Sequence, residues 1–185
     1  EIRTNPIVPT DAVIVSTARS KRPVGEKKDN VCPFCPGNEA MTPPAIAEIP
    51  NRENWKIRIV NNKFPVLRNN ISLPSYSFGQ QRAADGYGLH EIFIDHPAHD
   101  IKIHEMSREH IALIFSAYRD RMKQIYRTFS RIKYISLFKN FGPAAGASIR
   151  HTHSQLLAMP IVPRDIIAEV RHTAEYYEKN TKCVF

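Results

Sequence analysis

The stretch RHTHSQLLAMP, beginning at Arg150, sets two imidazoles and an amide at every second position: His151, His153 and Gln155. Alternation by two puts these side chains on one face of a β-strand and Thr152 and Ser154 on the other. Three polar groups on one strand face are costly to cover unless they have partners or chemistry to perform; the plain alternative is a half-exposed strand whose polar side meets water. The preceding FKNFGPAAGAS shifts the weight. Gly142, Ala144, Ala145, Gly146 and Ala147 leave backbone uncovered, so phosphate oxygens can approach main-chain N–H groups, with Asn140 and Ser148 as donors at the edges. A histidine is substantially neutral at pH 7, and one ring nitrogen offers phosphorus a lone pair if an acceptor holds the other. A second constellation, VCPFCPGNE, spaces Cys32 and Cys35 as half of a tetrahedral zinc site. The same spacing also suits a thioredoxin-like redox pair, against which the lack of a surrounding βαβ pattern speaks, or two buried thiols without metal.

The elements that must carry these groups follow from periodicity. DAVIVSTARSKRP predicts a strand from Ala12 to Ser16 running into a basic turn, and KIRIVNNKFPVL is a second alternating run. Residues 68–88, rich in Asn, Ser, Pro, Gly and Gln, read as a long loop, and LHEIFIDHPAHD as a strand ending in a histidine-bearing turn. Ile111, Ile114, Phe115, Tyr118, Met122, Ile125, Tyr126 and Phe129 have helical spacing behind an N-cap at Ser107. On the other face, Arg119, Arg121, Lys123 and Arg127 are expected to be solvated. IKYISLF predicts a buried strand, and a last helix starts near Pro163 with Ile166, Ile167, Val170, Ala174 and Tyr177 on one side. The order predicts an α+β fold, with helices packed on a largely antiparallel sheet.

Taken in order, STARSKRP, CPFCPGNE, NNKFP, HPAHD and FKNFGPAAGASIRHTHSQ resemble the galactose-1-phosphate uridylyltransferases. These form the transferase branch of the histidine-triad superfamily, in which glutamine replaces the third histidine of the triad. The resemblance implies a histidine-triad-like half-barrel and a nucleophilic His153 that attacks the α-phosphorus of a nucleotide sugar. It makes Gln155 the amide that holds the phosphoryl oxygens. Asn140 and Ser148 then contact phosphate, Asn62 contacts the nucleotide, and Arg19 and Arg22 lie near the substrate phosphates. It also completes a zinc site, Cys32, Cys35, His99 and His151, with His96 close enough in sequence to compete with His99. His90, His104, His110 and His172 are expected at the surface or packed. The expelled sugar phosphate is a stable anion, so no acid is required at position 155 and a neutral donor suffices.

Two features set the motif apart. The common uridylyltransferase pattern has proline between the histidines and glycine before the glutamine; Thr152 and Ser154 stand here, and with QLLAMPIVP they look more like the ADP-glucose phosphorylase members. The expected reaction is uridylyl transfer between hexose phosphates through a nucleotidyl-histidine, the alternative being adenylyl transfer from ADP-glucose to inorganic phosphate. The partners implied are a nucleotide sugar with a sugar phosphate or inorganic phosphate, and a second copy of the chain. A non-catalytic, zinc-stabilised nucleic-acid-binding module is the alternative of another class; it leaves the alternating histidines without a role.

Composition is compatible with all of these. The chain has 185 residues, 42% hydrophobic and 24% charged, which suits one globular domain and neither a membrane protein nor a disordered one. No apolar run approaches the roughly 18 residues of a bilayer span, and EIRTNPIVPT lacks the apolar centre of a signal peptide, so the cytoplasm is the expected compartment. A net charge of +8 favours anionic ligands without choosing among them. The family fold implied is two related halves. Residues 1–185 are expected to be the N-terminal nucleotidyltransferase domain, with the second domain absent or truncated after 185 and Cys183 opening a further Cys-x-x-Cys. Loss of that half would expose apolar surface and leaves activity of the fragment alone in question.

Overall fold

In the computed structural model, residues 1–8, 11–21, 31–72 and 75–185 are described. The site is built on a five-stranded antiparallel sheet in the order β3-β4-β7-β9-β8: Ala45–Ile49, Ile57–Asn61, Leu89–Ile94, His153–Met159 and Tyr134–Phe138. Its central members alternate in two ways at once. Ile57 and Ile59, Leu89 and Phe93, and Leu156 and Ala158 pack into one apolar cluster with Ile114, Ala117, Tyr118 and Ile125 of helix α1, Arg108–Thr128. Val60, Ile92 and Ile94 form another cluster with Phe34 and Trp55. The sheet is thus a middle layer with α1 on one side and the cysteine segment on the other. Both faces of β4, β7 and β9 are buried, so the polar residues they carry, Arg58, Glu91 and Ser154 among them, are paired.

Helix α1 begins as its sequence predicts, with the Ser107 side chain accepting the His110 N–H at 3.1 Å. Two of its predicted apolar residues, Phe115 and Tyr126, are exposed. Conversely, Arg121 is not merely solvated: it makes a two-pronged ion pair, at 2.5 and 2.8 Å, with the fully buried Glu91 of β7. IKYISLF supplies the edge strand β8, which is why only Ile132 and Ile135 of that run are buried.

A second antiparallel sheet, in the order β2-β1-β6-β5, joins Ala12–Ile14, Ile2–Thr4, Gln81–Ala84 and Ser75–Phe78. Here the long loop expected over 68–88 is corrected: Phe78 pairs with Gln81 across a Gly79-Gln80 turn, forming a hairpin. The small and polar residues conceal it, since only Tyr76 and Phe78 alternate with polar neighbours in a way that signals a strand. The predicted strand over 12–16 ends two residues early. Where the hairpin rejoins the main sheet, Gly88 has φ +149, and a Cβ there would lie 2.2 Å from the Ala158 carbonyl oxygen. Glycine is required for that approach. Helix α2, Arg164–Asn180, starts beside Pro163 as expected, yet none of its residues is buried.

Candidate active site and metal centre

His153 opens β9 and Gln155 lies two residues on, both facing away from α1 and both under a tenth exposed. The water-facing alternative fails, because all five residues from His151 to Gln155 are buried. The His153 Nδ1–H donates to the carbonyl of His151 at 2.8 Å. That bond fixes the tautomer and leaves the lone pair on Nε2, the state a nucleophilic imidazole needs. Phe34 packs edge-on against the ring at 5.3 Å between centroids, which restricts its rotation about χ2.

Gln155 is held by a residue that spacing alone did not single out. Its Oε1 lies 3.0 Å from Nε2 of the buried His90, and Asn62 Nδ2 lies 3.0 Å from that same nitrogen. Asn62 is therefore brought beside Gln155. Phe138 pairs with Gln155, so Asn140, two residues beyond, leaves β8 at the His153 end of β9. Asn140 and Ser148 are half-buried on either side of the Pro143–Ala145 turn. That turn is less open than its sequence promises. The N–H groups of Ala145 and Ala147 donate to the Gly142 carbonyl and that of Gly146 to the Pro143 carbonyl, so these three are used within the turn. Arg22 lies outside the described residues, as does the side chain of Arg19, whose backbone belongs to the 3-10 turn Thr17–Lys21.

The other face of the strand, Thr152 and Ser154, carries a buried polar network. Lys139 Nζ donates to Asp95 Oδ2 at 2.7 Å, to Thr152 Oγ1 at 2.7 Å and to the His153 carbonyl at 3.1 Å. Ser154 donates to Asp95 Oδ2 at 2.8 Å, and the Tyr118 hydroxyl donates to Asp95 Oδ1 at 2.9 Å while standing 2.7 Å from Ser154 Oγ. Burial, then the Asp95 carboxylate, pushes the Tyr118 phenol well above its ordinary range, so it serves as a donor. All three ammonium donors are used, and no buried side-chain polar atom among the described residues lacks a partner. Lys139 and Asp95 thus tie down three consecutive residues, Thr152, His153 and Ser154.

The cysteine knuckle meets the strand's first histidine. The ligating atoms of Cys32, Cys35, His99 and His151 all lie within 4.8 Å of one another. Cys35 Sγ is 3.3 Å from His99 Nδ1 and 3.5 Å from His151 Nδ1, while Cys32 Sγ is 3.7 Å from His151 Nδ1. A tetrahedral zinc with ordinary bond lengths sets sulfur and nitrogen roughly 3.6 Å apart, so the spacing fits. The His151 Nε2–H donates to the His96 carbonyl at 2.7 Å, which turns Nδ1 toward the thiols, as outer partners of metal-bound histidines do. His96 therefore supports the cluster without joining it, and its ring packs against His110 at 4.5 Å. Burial pushes the Cys32 thiol up to about 11 and the His151 imidazole below its usual value. A cation is what would make this buried thiol a thiolate, while His151 is already the neutral ligand a metal requires. The four residues can hold a metal ion.

Comparison with known proteins agrees with this geometry. The profile of the galactose-1-phosphate uridyl transferase N-terminal domain matches residues 3–163. ADP-glucose phosphorylase of Arabidopsis thaliana is 36% identical over 99% of this chain and 55% of its own length. Galactose-1-phosphate uridylyltransferase of Thermotoga maritima is 29% identical over 99% of this chain and 54% of its own. A crystal structure of the Arabidopsis thaliana ADP-glucose phosphorylase with bound ADP-glucose superposes with a TM-score of 0.72 at 35% identity, covering 99% of this chain and 56% of that one. The chain thus spans about half the length of the curated relatives it matches. With the profile of the family's N-terminal domain matching most of this chain and the histidine strand, knuckle and sheet in place, the chain belongs to the galactose-1-phosphate uridyl transferase family.

Proposed function

We propose that this domain transfers a nucleoside monophosphate between phosphate acceptors through a nucleotidyl group carried on His153 Nε2. The observation that carries the reading is the 2.8 Å bond from His153 Nδ1 to the His151 carbonyl, which places the lone pair on Nε2. In the first displacement, Nε2 bonds to the α-phosphorus of a nucleotide sugar. The bond to the bridging oxygen breaks, and the sugar 1-phosphate leaves with the electron pair. In the second, a phosphate oxygen of the acceptor attacks the same phosphorus and the pair returns to Nε2. Neither step requires a proton. The ring becomes cationic in between, and the His151 carbonyl at Nδ1 stabilises that charge. Gln155 donates to the phosphoryl oxygens, Asn140 and Ser148 to the departing or arriving phosphate, and Asn62 to the nucleotide, with Arg19 and Arg22 near the substrate phosphates.

The donor set of two cysteines and two histidines suits zinc in a structural role, where it would hold the knuckle, and with it Phe34, against the strand bearing the nucleophile. The whole enzyme is proposed to be a cytoplasmic homodimer in which a second family domain follows residue 185. The length of the relatives supports the second domain, and three cysteines outside any disulfide suit a reducing compartment.

Two donors are in question, and the likeness to the Arabidopsis enzyme and the Ser154 of the motif favour ADP-glucose with inorganic phosphate as acceptor. Incubating the protein with ADP-glucose or UDP-glucose, each labelled in its α-phosphate, tests this. The expected result is label on protein from ADP-glucose, discharged by inorganic phosphate. Label from UDP-glucose alone, discharged by a hexose 1-phosphate, would move the assignment to uridylyl transfer, and label from neither would remove the function.

A further inference from the structure

His90 sits on β7 beside the proposed nucleophile's strand, 4% exposed, and its hydrogen bonds determine its tautomer. The backbone N–H of Val66 donates to its Nδ1 at 3.2 Å, and a main-chain N–H has no other way to bond. The neutral ring therefore carries its proton on Nε2. Gln155 Oε1, at 3.0 Å, is an acceptor for that proton. Asn62 offers none, since its Oδ1 takes the Phe64 N–H at 2.8 Å and it presents Nδ2 to the ring.

A carboxamide has two ends of nearly equal size and opposite hydrogen-bonding character. Turning Gln155 over would set a second NH2 group beside that of Asn62 against the His90 N–H and leave this buried proton without an acceptor. The histidine thus locks the amide. We propose that His90 is a positioning residue that acts through Gln155, holding its oxygen so that its NH2 end is the one offered beside His153. Gln155 and His153 share a strand face, so that end is where phosphoryl oxygens gather if His153 takes a nucleotidyl group, and the functional part of the inference rests on that reading.

Two measurements test it. In nitrogen-15 spectra of the unliganded protein, His90 is expected to show a bare Nδ1 and a protonated Nε2; a ring protonated on Nδ1 overturns the proposal whatever the enzyme does. In single-turnover adduct formation by the enzyme, with ADP-glucose and UDP-glucose as donors, His90→Phe is expected to slow the step on the order of 10- to 100-fold. In a Gln155→Ala background the same change is expected to cost less than about 2-fold, because the residue it acts through is gone. His90→Gln, which keeps an N–H donor near the Nε2 position, should retain the rate within a few-fold, and it serves as the working comparison if the phenylalanine variant fails to fold. Equal losses in both backgrounds, or no rescue by glutamine, show that His90 supports the scaffold only. A parent enzyme that forms no adduct with either donor counts against the His153 reading instead, leaving the tautomer measurement to decide the geometry.

Discussion

At the scale of single residues, neighbouring histidines on one strand face are held in different tautomers because a different ring nitrogen of each bonds a backbone carbonyl. His151 turns Nδ1 toward the cysteines by donating from Nε2 to His96, while His153 donates from Nδ1 and leaves its lone pair on Nε2. The alternation of types made the row visible in sequence, but partner choice depends on backbone carbonyls whose positions only the fold supplies. Burial lowers the affinity of His151 for a proton, and likewise that of His96, where the neighbouring His110 adds to it. The unfolded chain therefore binds protons that the folded one refuses. Stability from these groups is present above the ordinary histidine value near pH 6.5 and is lost as pH falls through their depressed folded values. The metal-free protein should lose stability between about pH 7.5 and about pH 5, as read by urea unfolding at each pH. Added zinc should shift that loss to lower pH, because the protons must then displace the ion. A flat profile unaffected by zinc would contradict the ligand set.

Among elements, the informative one is β9, whose hidden face was missed. Side-chain alternation placed Thr152 and Ser154 opposite the histidines, yet nothing in the spacing announced Lys139 and Asp95, which are 44 residues apart and meet only once β7, β8 and β9 align. The same limit explains Arg121 with Glu91, 30 residues apart. A charged helix face reads as solvated until the strand beneath it is known. Lys139→Met keeps the stem and removes the ammonium, stranding a carboxylate that is 2% exposed. We expect a loss of about 3 kcal/mol in denaturant unfolding, most of it recovered when Asp95→Asn is added. If the single and double variants are equally destabilised, the ion pair is not what matters there. The hairpin over 75–84 was also illegible for a physical reason, since its strands pair through backbone and the second, Gln81–Ala84, buries only Ala83.

On the scale of the whole molecule, the predicted α+β layout is correct, and the helix that packs is α1. Helix α2 has the amphipathic sequence expected of a packed helix, but Ile167, Val170 and Tyr177 are each at least half exposed. An apolar helix face in water favours association. The 185-residue chain should therefore self-associate with rising concentration, and the pair Ile167→Asp with Val170→Asp should suppress this in sedimentation velocity without lowering thermal stability. Unchanged association would place the sticky surface elsewhere. No described helix is long and apolar enough to cross a membrane.

The covalent site itself is the most direct test. Enzyme quenched during turnover with ADP-glucose or UDP-glucose, digested under alkaline conditions that spare a phosphorus–nitrogen bond, can be mapped by tandem mass spectrometry. A nucleoside monophosphate on His153, labile to acid and absent from His153→Ala, is the predicted result; an adduct on another residue, or turnover with none at all, would contradict it.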